Sequence, residues 1–484
     1  MMIQNLRLRR YFFLDLTCIL FFFLNILWGL IDFYDPHFQF SFIVQLYGLF
    51  FSFGIDGFSL YFSYLTGILS CISIMYMFFN YRTENDDYYF FYSGMIFFTF
   101  LLLLLAFFSL DLILFYVCFE LVIVPFFFLV GISSLKKRRV HAIFMFFFYT
   151  LFGSFFMFVS IFQIYSTFDT TNFELLLNSF YDDFRKHILW FFIILSFSVK
   201  IPIFPFHLWL LEAHVESPTE GSVLLAGVLL KLGSYGIIRF LVSIFPFLSY
   251  YYSPLILLIG SISVFYSSFS TMRQIDMKRV IAYSSVAHMN VSIIGLFLFN
   301  HYSVVGSMFL MIAHGVVSSG MFFIAGMLYT RFHTKIIQYY GGAVYINPIL
   351  SSIFFFFIVA NIGFPLLSNF VGESMILIGL INCSSNGVIF FCLGGIFICA
   401  VYSLWMLNRI IFLFPKFRYF VFSFDITFVE LAVCLTLIFF VLWMGIVPYN
   451  WILFLEYCTC YYYFDSLDFF NEIDFVTIYN SNII

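Results

Sequence analysis

The chain reads as an all-α membrane protein of about thirteen transmembrane helices, on three observations: more apolar sequence than a soluble core can absorb, recurring runs of spanning length, and basic residues gathered on one side of those runs. Of the 484 residues 63% are hydrophobic and 10% charged, with a mean hydropathy of +1.05, far from the values of water-soluble domains. Apolar segments of about 20 residues, the length a helix needs to cross the hydrocarbon core, recur along nearly the whole sequence.

Divided at charged residues and at Gly/Pro breaks, the runs lie near 11–31, 57–80, 93–109, 112–132, 141–166, 188–211, 219–244, 252–271, 279–298, 303–329, 345–381, 386–413 and 427–450. If this division is right, basic residues must fall in alternate loops. Arg7, Arg9, Arg10, Arg82, Lys136 to Arg139, Arg273, Lys278, Arg279, Arg331, Lys335, Arg409, Lys416 and Arg418, which make up 16 of the 21 basic residues, fall on one side. Arg185 and Lys186 fall on the other, and Lys200, Lys231 and Arg239 lie within spans. The N-terminus is therefore expected inside, and the acidic tail with Asp465, Asp468, Glu472 and Asp474 outside. The opening MMIQNLRLRR and the apolar stretch after it resemble a signal peptide, but no small-residue cleavage site follows, and a retained first helix is expected.

Eighty Phe and 33 Tyr occur in spans as well as at their edges, so an interfacial belt cannot explain them. Codon bias of an AT-rich, organellar genome can. The nine cysteines are scattered, with only Cys458 and Cys460 close together, and metal or iron–sulfur ligation needs about four convergent ligands, so no metal site is expected. Neither a Gly-rich phosphate loop nor a paired haem ligand set is legible.

Two spans are interrupted, one through SVKIPIFPFHLW and one through ANIGFPLLSNFVGES. Pro202 and Pro205 cannot donate to the carbonyls of Ser198 and Ile201, and Pro365 cannot donate to that of Asn361. Carbonyls freed at membrane depth need partners inside protein or water, as in discontinuous helices that line ion paths. Each interruption falls in the fourth span of a run of five, the third to seventh and the eighth to twelfth. Five is odd, so the second run enters the membrane with the opposite orientation, as in an inverted-repeat transporter.

An ionisable side chain near the bilayer centre costs about 2.5–3.5 kcal/mol, so each one asks for a reason. Glu120 lies mid-span, Lys200 precedes the first break, Lys231 lies mid-span in AGVLLKLGSYG, and Glu373 follows the second break. Burial disfavours the charged form of an acid or a base while mutual attraction favours it, so a Glu120–Lys200 pair can alternate between ion pair and neutral pair. Lys231 is then the next acceptor and Glu373 the carboxylate at the far end. His207 follows the first break, and His288 and His314 sit mid-span; an imidazole can take a proton on one nitrogen and release another near neutral pH. Ser284, Ser285, Ser318 and Ser319 lie nearby and make a hydrated polar wire feasible. The plainer alternative is that these groups only pair with one another or with backbone, as packing. Asp15 and Asp111 read as interfacial, Glu216 and Glu220 as acids at a helix start, and Arg239 as snorkelling from a span end.

The stretches KIPIFPFHLWLLEAHVESPTEGSVLLAGVLLKLGSYGIIRF, RQIDMKRVIAYSSVAHMN, AHGVVSSGMFFIAGMLYTRFHT and NIGFPLLSNFVGES resemble the antiporter-like subunits of NADH:ubiquinone oxidoreductase, respiratory complex I. The resemblance runs from about Phe53 to Arg409. It implies that Glu120 is the acid of the fifth helix, Lys200 its paired lysine, Lys231 the central lysine, and His288 and His314 histidines of the central axis. Subunits 2 and 5 usually carry lysine where Glu373 stands, so this glutamate points to the subunit 4 branch. Leu211 stands where the family usually has proline, Glu220 where a small or apolar residue is common, and Leu366 and Leu367 at two usually small positions. One helix fewer is expected ahead of the 32–56 loop than relatives carry.

The resemblance implies an antiporter-like fold divided into N-terminal helices and loop (1–92), a first repeat (93–244), a second, inverted repeat (252–413), and a C-terminal helix with its tail (414–484). It implies proton translocation along the Glu120, Lys200, Lys231, His207, His288, His314 and Glu373 axis, coupled to quinone reduction elsewhere in the complex. This chain itself would hold no cofactor, since NADH, FMN, iron–sulfur clusters and ubiquinone belong to other subunits. Its partners would be membrane-arm subunits, especially subunits 2 and 5, together with membrane lipids and no nucleic acid, in the mitochondrial inner membrane with the N-terminus on the matrix side. Two further functions share these motifs: a subunit of a cation/proton antiporter, separable by its partners, and a membrane scaffold in which the charges only hold helices together.

Overall fold

In the computed structural model of the chain the described residues are 2–459 apart from 34, 36, 47–48, 81–85, 132–136, 178–182, 384–385 and 416–424, with the backbone alone for 2–11, 46, 49, 80, 86–87, 183–184 and 458–459. Arg82, Lys136, Lys416, Arg418, Cys460 and the acidic tail with Asp465, Asp468, Glu472 and Asp474 lie outside the described residues, as do the side chains of Arg7, Arg9, Arg10 and Cys458.

A hydrocarbon layer offers no partner for backbone N–H and C=O, so each crossing segment must satisfy its own, and an α-helix does so. In chain order the helices are α1 (Met2–Leu30), α2 (Gly57–Asn80), α3 (Asp86–Phe108), α4 (Leu112–Gly131), α5 (Lys137–Phe168), α6 (Asp183–Lys200), α7 (Leu208–Glu216) and α8 (Thr219–Val242). There follow α9 (Ser253–Thr271), α10 (Met277–Phe297), α11 (His301–Phe332), α12 (Pro348–Ile362), α13 (Ser368–Cys383), α14 (Asn386–Phe412), α15 (Phe428–Ile446) and α16 (Tyr449–Thr459). Eleven helices among the described residues are long and apolar enough to cross a membrane.

The proline-marked interruptions are breaks in the helix: α6 stops at Lys200 and α7 starts at Leu208, while α12 stops at Ile362 and α13 starts at Ser368. The first break recruits its own donors. The Ser198 carbonyl, expected to be left free by Pro202, accepts from Ile203 N–H at 3.3 Å, and the Val199 carbonyl accepts from the Trp209 indole at 2.8 Å. At the second break Gly363 adopts φ +77°, a left-handed conformation that ends α12.

The stretch read from sequence as a loop at 32–56 carries a β-hairpin, with β1 (Gln39–Leu46) antiparallel to β2 (Leu49–Ile55). Alternating polar and apolar residues in QFSFIVQL fit a strand, a pattern hidden in sequence by the surrounding aromatic excess.

The spans of α8, α10 and α11 are buried along their whole length, whereas those of α1 and α14 are mostly exposed at the periphery. Close approach of the central helices depends on missing side chains. A Cβ on Gly306 of α11 would lie 3.1 Å from the Gly372 carbonyl, and one on Gly372 of α13 would lie 2.9 Å from the Leu310 backbone. These two glycines let α13 seat directly on α11, which fixes where Glu373 points.

Candidate functional site

The enclosed helices are the ones that carry the buried ionisable residues. Lys231 on α8, His288 on α10, His314 on α11 and Glu373 on α13 are each no more than 5% exposed. Their side chains form one run of contacts. Lys231 Nζ lies 3.1 Å from His314 Nδ1, the His314 and His288 rings lie 5.4 Å apart between centroids, and His288 Nδ1 lies 2.9 Å from Glu373 Oε1.

Local backbone irregularities set the two ends of this run. Lys231 follows a π-helical turn at Leu225–Leu229, and its ammonium donates to the Ala226 carbonyl within that turn at 2.6 Å. Such turns in an α-helix commonly accompany functional positions, because they shift the register of the side chains that follow. At the other end Glu373 Oε2 would meet a Cβ on Gly363 at 2.6 Å, so the carboxylate is folded back against the bare backbone of the second break. The discontinuous helix thereby supplies the space that Glu373 occupies.

Glu120 and Lys200 are placed differently. Lys200, 1% exposed at the end of α6, donates to the Phe119 carbonyl at 3.4 Å and lies 4.4 Å above the Phe119 ring. Glu120 on α4 is half-buried, with Oε1 without a hydrogen-bond partner among the described residues. Among the described residues no direct ion pair joins Glu120 to Lys200, whose ammonium instead lies against the ring and carbonyl of Phe119. Lys200 is nonetheless close to the central lysine's helix: a Cβ on Gly233, two residues past Lys231, would lie 3.2 Å from Lys200 Cβ.

His207 joins neither group. It sits in the first break among Phe204, Tyr266 and Tyr283, at ring distances of 5.9, 5.5 and 6.2 Å, and neither ring nitrogen has a hydrogen-bond partner among the described residues.

Three features escaped the reading of the sequence. Arg239 does not snorkel: it is 1% exposed, its Nη2 lies 2.8 Å from Asp56 Oδ1, and its Nε donates to the Tyr235 hydroxyl at 3.0 Å. Asp56, just ahead of α2, was not singled out because nothing local marks its partner 183 residues away. Burial alone would raise its carboxyl, but the Arg239 guanidinium and hydrogen bonds from Ser59 outweigh that and hold it below the usual carboxylate range. A second buried pair, Arg331–Glu430, joins α11 to α15 and is capped by a reciprocal Thr427–Glu430 box. Third, Cys399 of α14 touches His288, and Tyr402 donates to Cys399, as described below.

Taken together, broken helices around an enclosed file of acids and bases define a class: polytopic membrane subunits of the antiporter-like type, built to carry charge through the bilayer interior. The sequence matches the family described as NADH:quinone oxidoreductase/Mrp antiporter, TM over residues 109–399. It is 40% identical over 445 residues to NADH-ubiquinone oxidoreductase chain 4 of Chondrus crispus, covering 91% of this chain and 89% of that one. The fold is similar to a chain of respiratory complex I from Thermus thermophilus with bound NADH, with a TM-score of 0.82, 24% identity and coverage of 92% and 93% of the two chains. It is similar also to a chain of the Mrp complex from a Dietzia species, with a TM-score of 0.86 at 16% identity over 95% and 93% of the two chains. This chain belongs to the NADH-ubiquinone oxidoreductase chain 4 family.

Proposed function

We propose that this chain is the membrane-arm subunit of NADH:ubiquinone oxidoreductase that translocates protons along its buried Lys231–His314–His288–Glu373 file, with Glu120 and Lys200 as a charge pair that modulates it. The observation that carries the reading is the unbroken run of contacts from Lys231 to Glu373 inside fully enclosed helices. Each neighbour in that run can hold or release a proton, and each step is either within hydrogen-bond reach or short enough for one water to bridge. His207, set apart in the first break, serves as an access point to the file.

The energy comes from quinone reduction in neighbouring subunits, which hold the NADH, FMN, iron–sulfur and ubiquinone chemistry. This chain contributes the proton path to the oxidoreductase and no redox centre of its own. Its partners are the other antiporter-like subunits, 2 and 5 among them, in the mitochondrial inner membrane with the N-terminus facing the matrix. Residues 93–244 and 252–413 act as two inverted repeats hinged at the broken helices.

The test is Lys231→Ala and Glu373→Gln in the assembled complex, with NADH:quinone turnover and proton movement measured together. The reading expects proton movement to fall while the assembled complex is still recovered on a native gel. Unchanged proton movement in both variants overturns it.

A further inference from the structure

We infer that Cys399 and Tyr402 are positioning residues that set which nitrogen of His288 carries its proton. The inference rests on the proposed proton file and concerns how one member of it is kept switchable.

His288 is held from both ring nitrogens. Nδ1 faces Glu373 Oε1 at 2.9 Å, and Nε2 faces Cys399 Sγ at 3.7 Å, within the longer reach of a sulfur hydrogen bond. The thiol is not alone. The Tyr402 hydroxyl, one turn along α14, donates to Cys399 Sγ at 2.9 Å, and the Cys399 carbonyl accepts from Ser403 at 2.7 Å. Both residues are about as buried as His288 itself, Cys399 at 3% and Tyr402 at 2%. With the phenol donating to sulfur, the S–H is free to point at Nε2, which then accepts.

A neutral imidazole has one donor and one acceptor nitrogen. If Nε2 accepts from the thiol, the proton sits on Nδ1, the nitrogen 2.9 Å from Glu373 Oε1, on the side toward which the file runs. When His288 gains a second proton, Nε2 becomes a donor, and the thiol can rotate its S–H away and offer a sulfur lone pair. Sulfur is a weak acceptor, so the imidazolium is accommodated without being trapped. A carboxylate in the same place would hold the cation, and an aliphatic side chain would leave Nε2 without a partner in a dry interior, at a cost comparable to a lost hydrogen bond. The arrangement at α14 thus fixes the neutral tautomer and leaves the charge state free to change. No covalent step is involved, and the protons balance at each stage: one on Nδ1 in the neutral ring, one more on Nε2 in the cation.

The experiment uses the assembled complex carrying C399A, C399S or Y402F, with proton movement per NADH and the pH profile of coupled turnover as readouts. C399A should lower proton movement several-fold and shift the pH profile, whereas C399S, whose hydroxyl also rotates between donor and acceptor, should restore both. Y402F, which removes only the hydroxyl that orients the thiol, should shift the profile in the same direction by less. The S–H stretching band that disappears between the wild type and C399S should lie in the hydrogen-bonded range and should move in Y402F. Two results overturn the inference: C399A and Y402F that leave the pH profile unchanged, or C399S that behaves as C399A. If Glu373→Gln abolishes proton movement in the same preparations while C399A does not disturb it, the file survives and the positioning role fails. If Glu373→Gln is itself without effect, the file fails first.

Discussion

The two broken helices stand at comparable positions in the two halves of the chain, yet the charges beside them end in different states. Beyond the second break Glu373 closes a run of side-chain contacts that continues through His288 and His314 to Lys231. Beside the first break Lys200 spends its donor on the Phe119 carbonyl, and Glu120 lies half-exposed on α4 with one oxygen unpartnered among the described residues. One set of charges is a connected wire, reaching back into the first half at Lys231, and the other a separated pair. The difference follows from enclosure: α8, α10 and α11 are buried on all sides, so their polar groups must satisfy one another, whereas α4 has an outer face where a carboxylate can stand apart.

This contrast can be broken or sharpened by substitution, taken from the largest effect downward. Arg239→Leu removes one partner of the buried Asp56 pair and should destabilise the first half by about 3–5 kcal/mol, because the Asp56 carboxylate then stays buried without the guanidinium that offsets its charge. Thermal unfolding of the assembled complex measures this, and the double variant with Asp56→Leu should recover part of the loss. The pair also gives that half an acid limit. The folded Asp56 carboxyl titrates below its unfolded value of about 3.9, so its contribution is complete above that pH and is lost as the pH falls through the folded value. An acid unfolding limit unmoved by Asp56→Asn would contradict this.

Glu373→Gln should slow proton passage through the connected run by roughly a hundredfold, the scale of a positioned proton-transfer group. Proton movement per NADH in reconstituted vesicles reports it. Gly363→Ala comes next: its backbone is left-handed and its Cβ would lie 2.6 Å from Glu373 Oε2, so about 1–2 kcal/mol of strain and a displaced carboxylate are expected. A wild-type rate with alanine there would mean that the break is slack. Glu120→Gln should have the smallest effect, under about tenfold, since charges beyond direct contact at a partly exposed site are worth about 1 kcal/mol. Should Glu120→Gln match Glu373→Gln, the distinction between wire and separated pair collapses.

Much of this was legible in the residues. Hydropathy marked the spans, the proline positions marked both breaks to within a few residues, and the cost of intramembrane charge drew attention to Lys231, Glu373 and the histidines. The parts that were not legible have specific causes. The hairpin at 39–55 was masked because its alternation is written in the same Phe-rich alphabet as the helices. Arg239 read as a snorkelling cation because its partner, Asp56, lies far away in sequence at the foot of α2. Cys399 and Tyr402 read as ordinary span residues because a thiol and a phenol cost little in an apolar helix, and only proximity to His288 gives them a role.

The sequence by itself determined that this chain lives in a membrane, crosses it as helices, breaks two of them and keeps a few acids and bases inside. Those are local matters of hydropathy, backbone donors and insertion cost, and each can be read along the chain. Only the tertiary structure decided which charges meet. It set Lys231 beside His314 and His288 beside Glu373, and it laid the Lys200 ammonium against Phe119. Contact between side chains on different helices depends on crossing positions, and these are fixed by where glycines such as Gly306 and Gly372 let backbones approach.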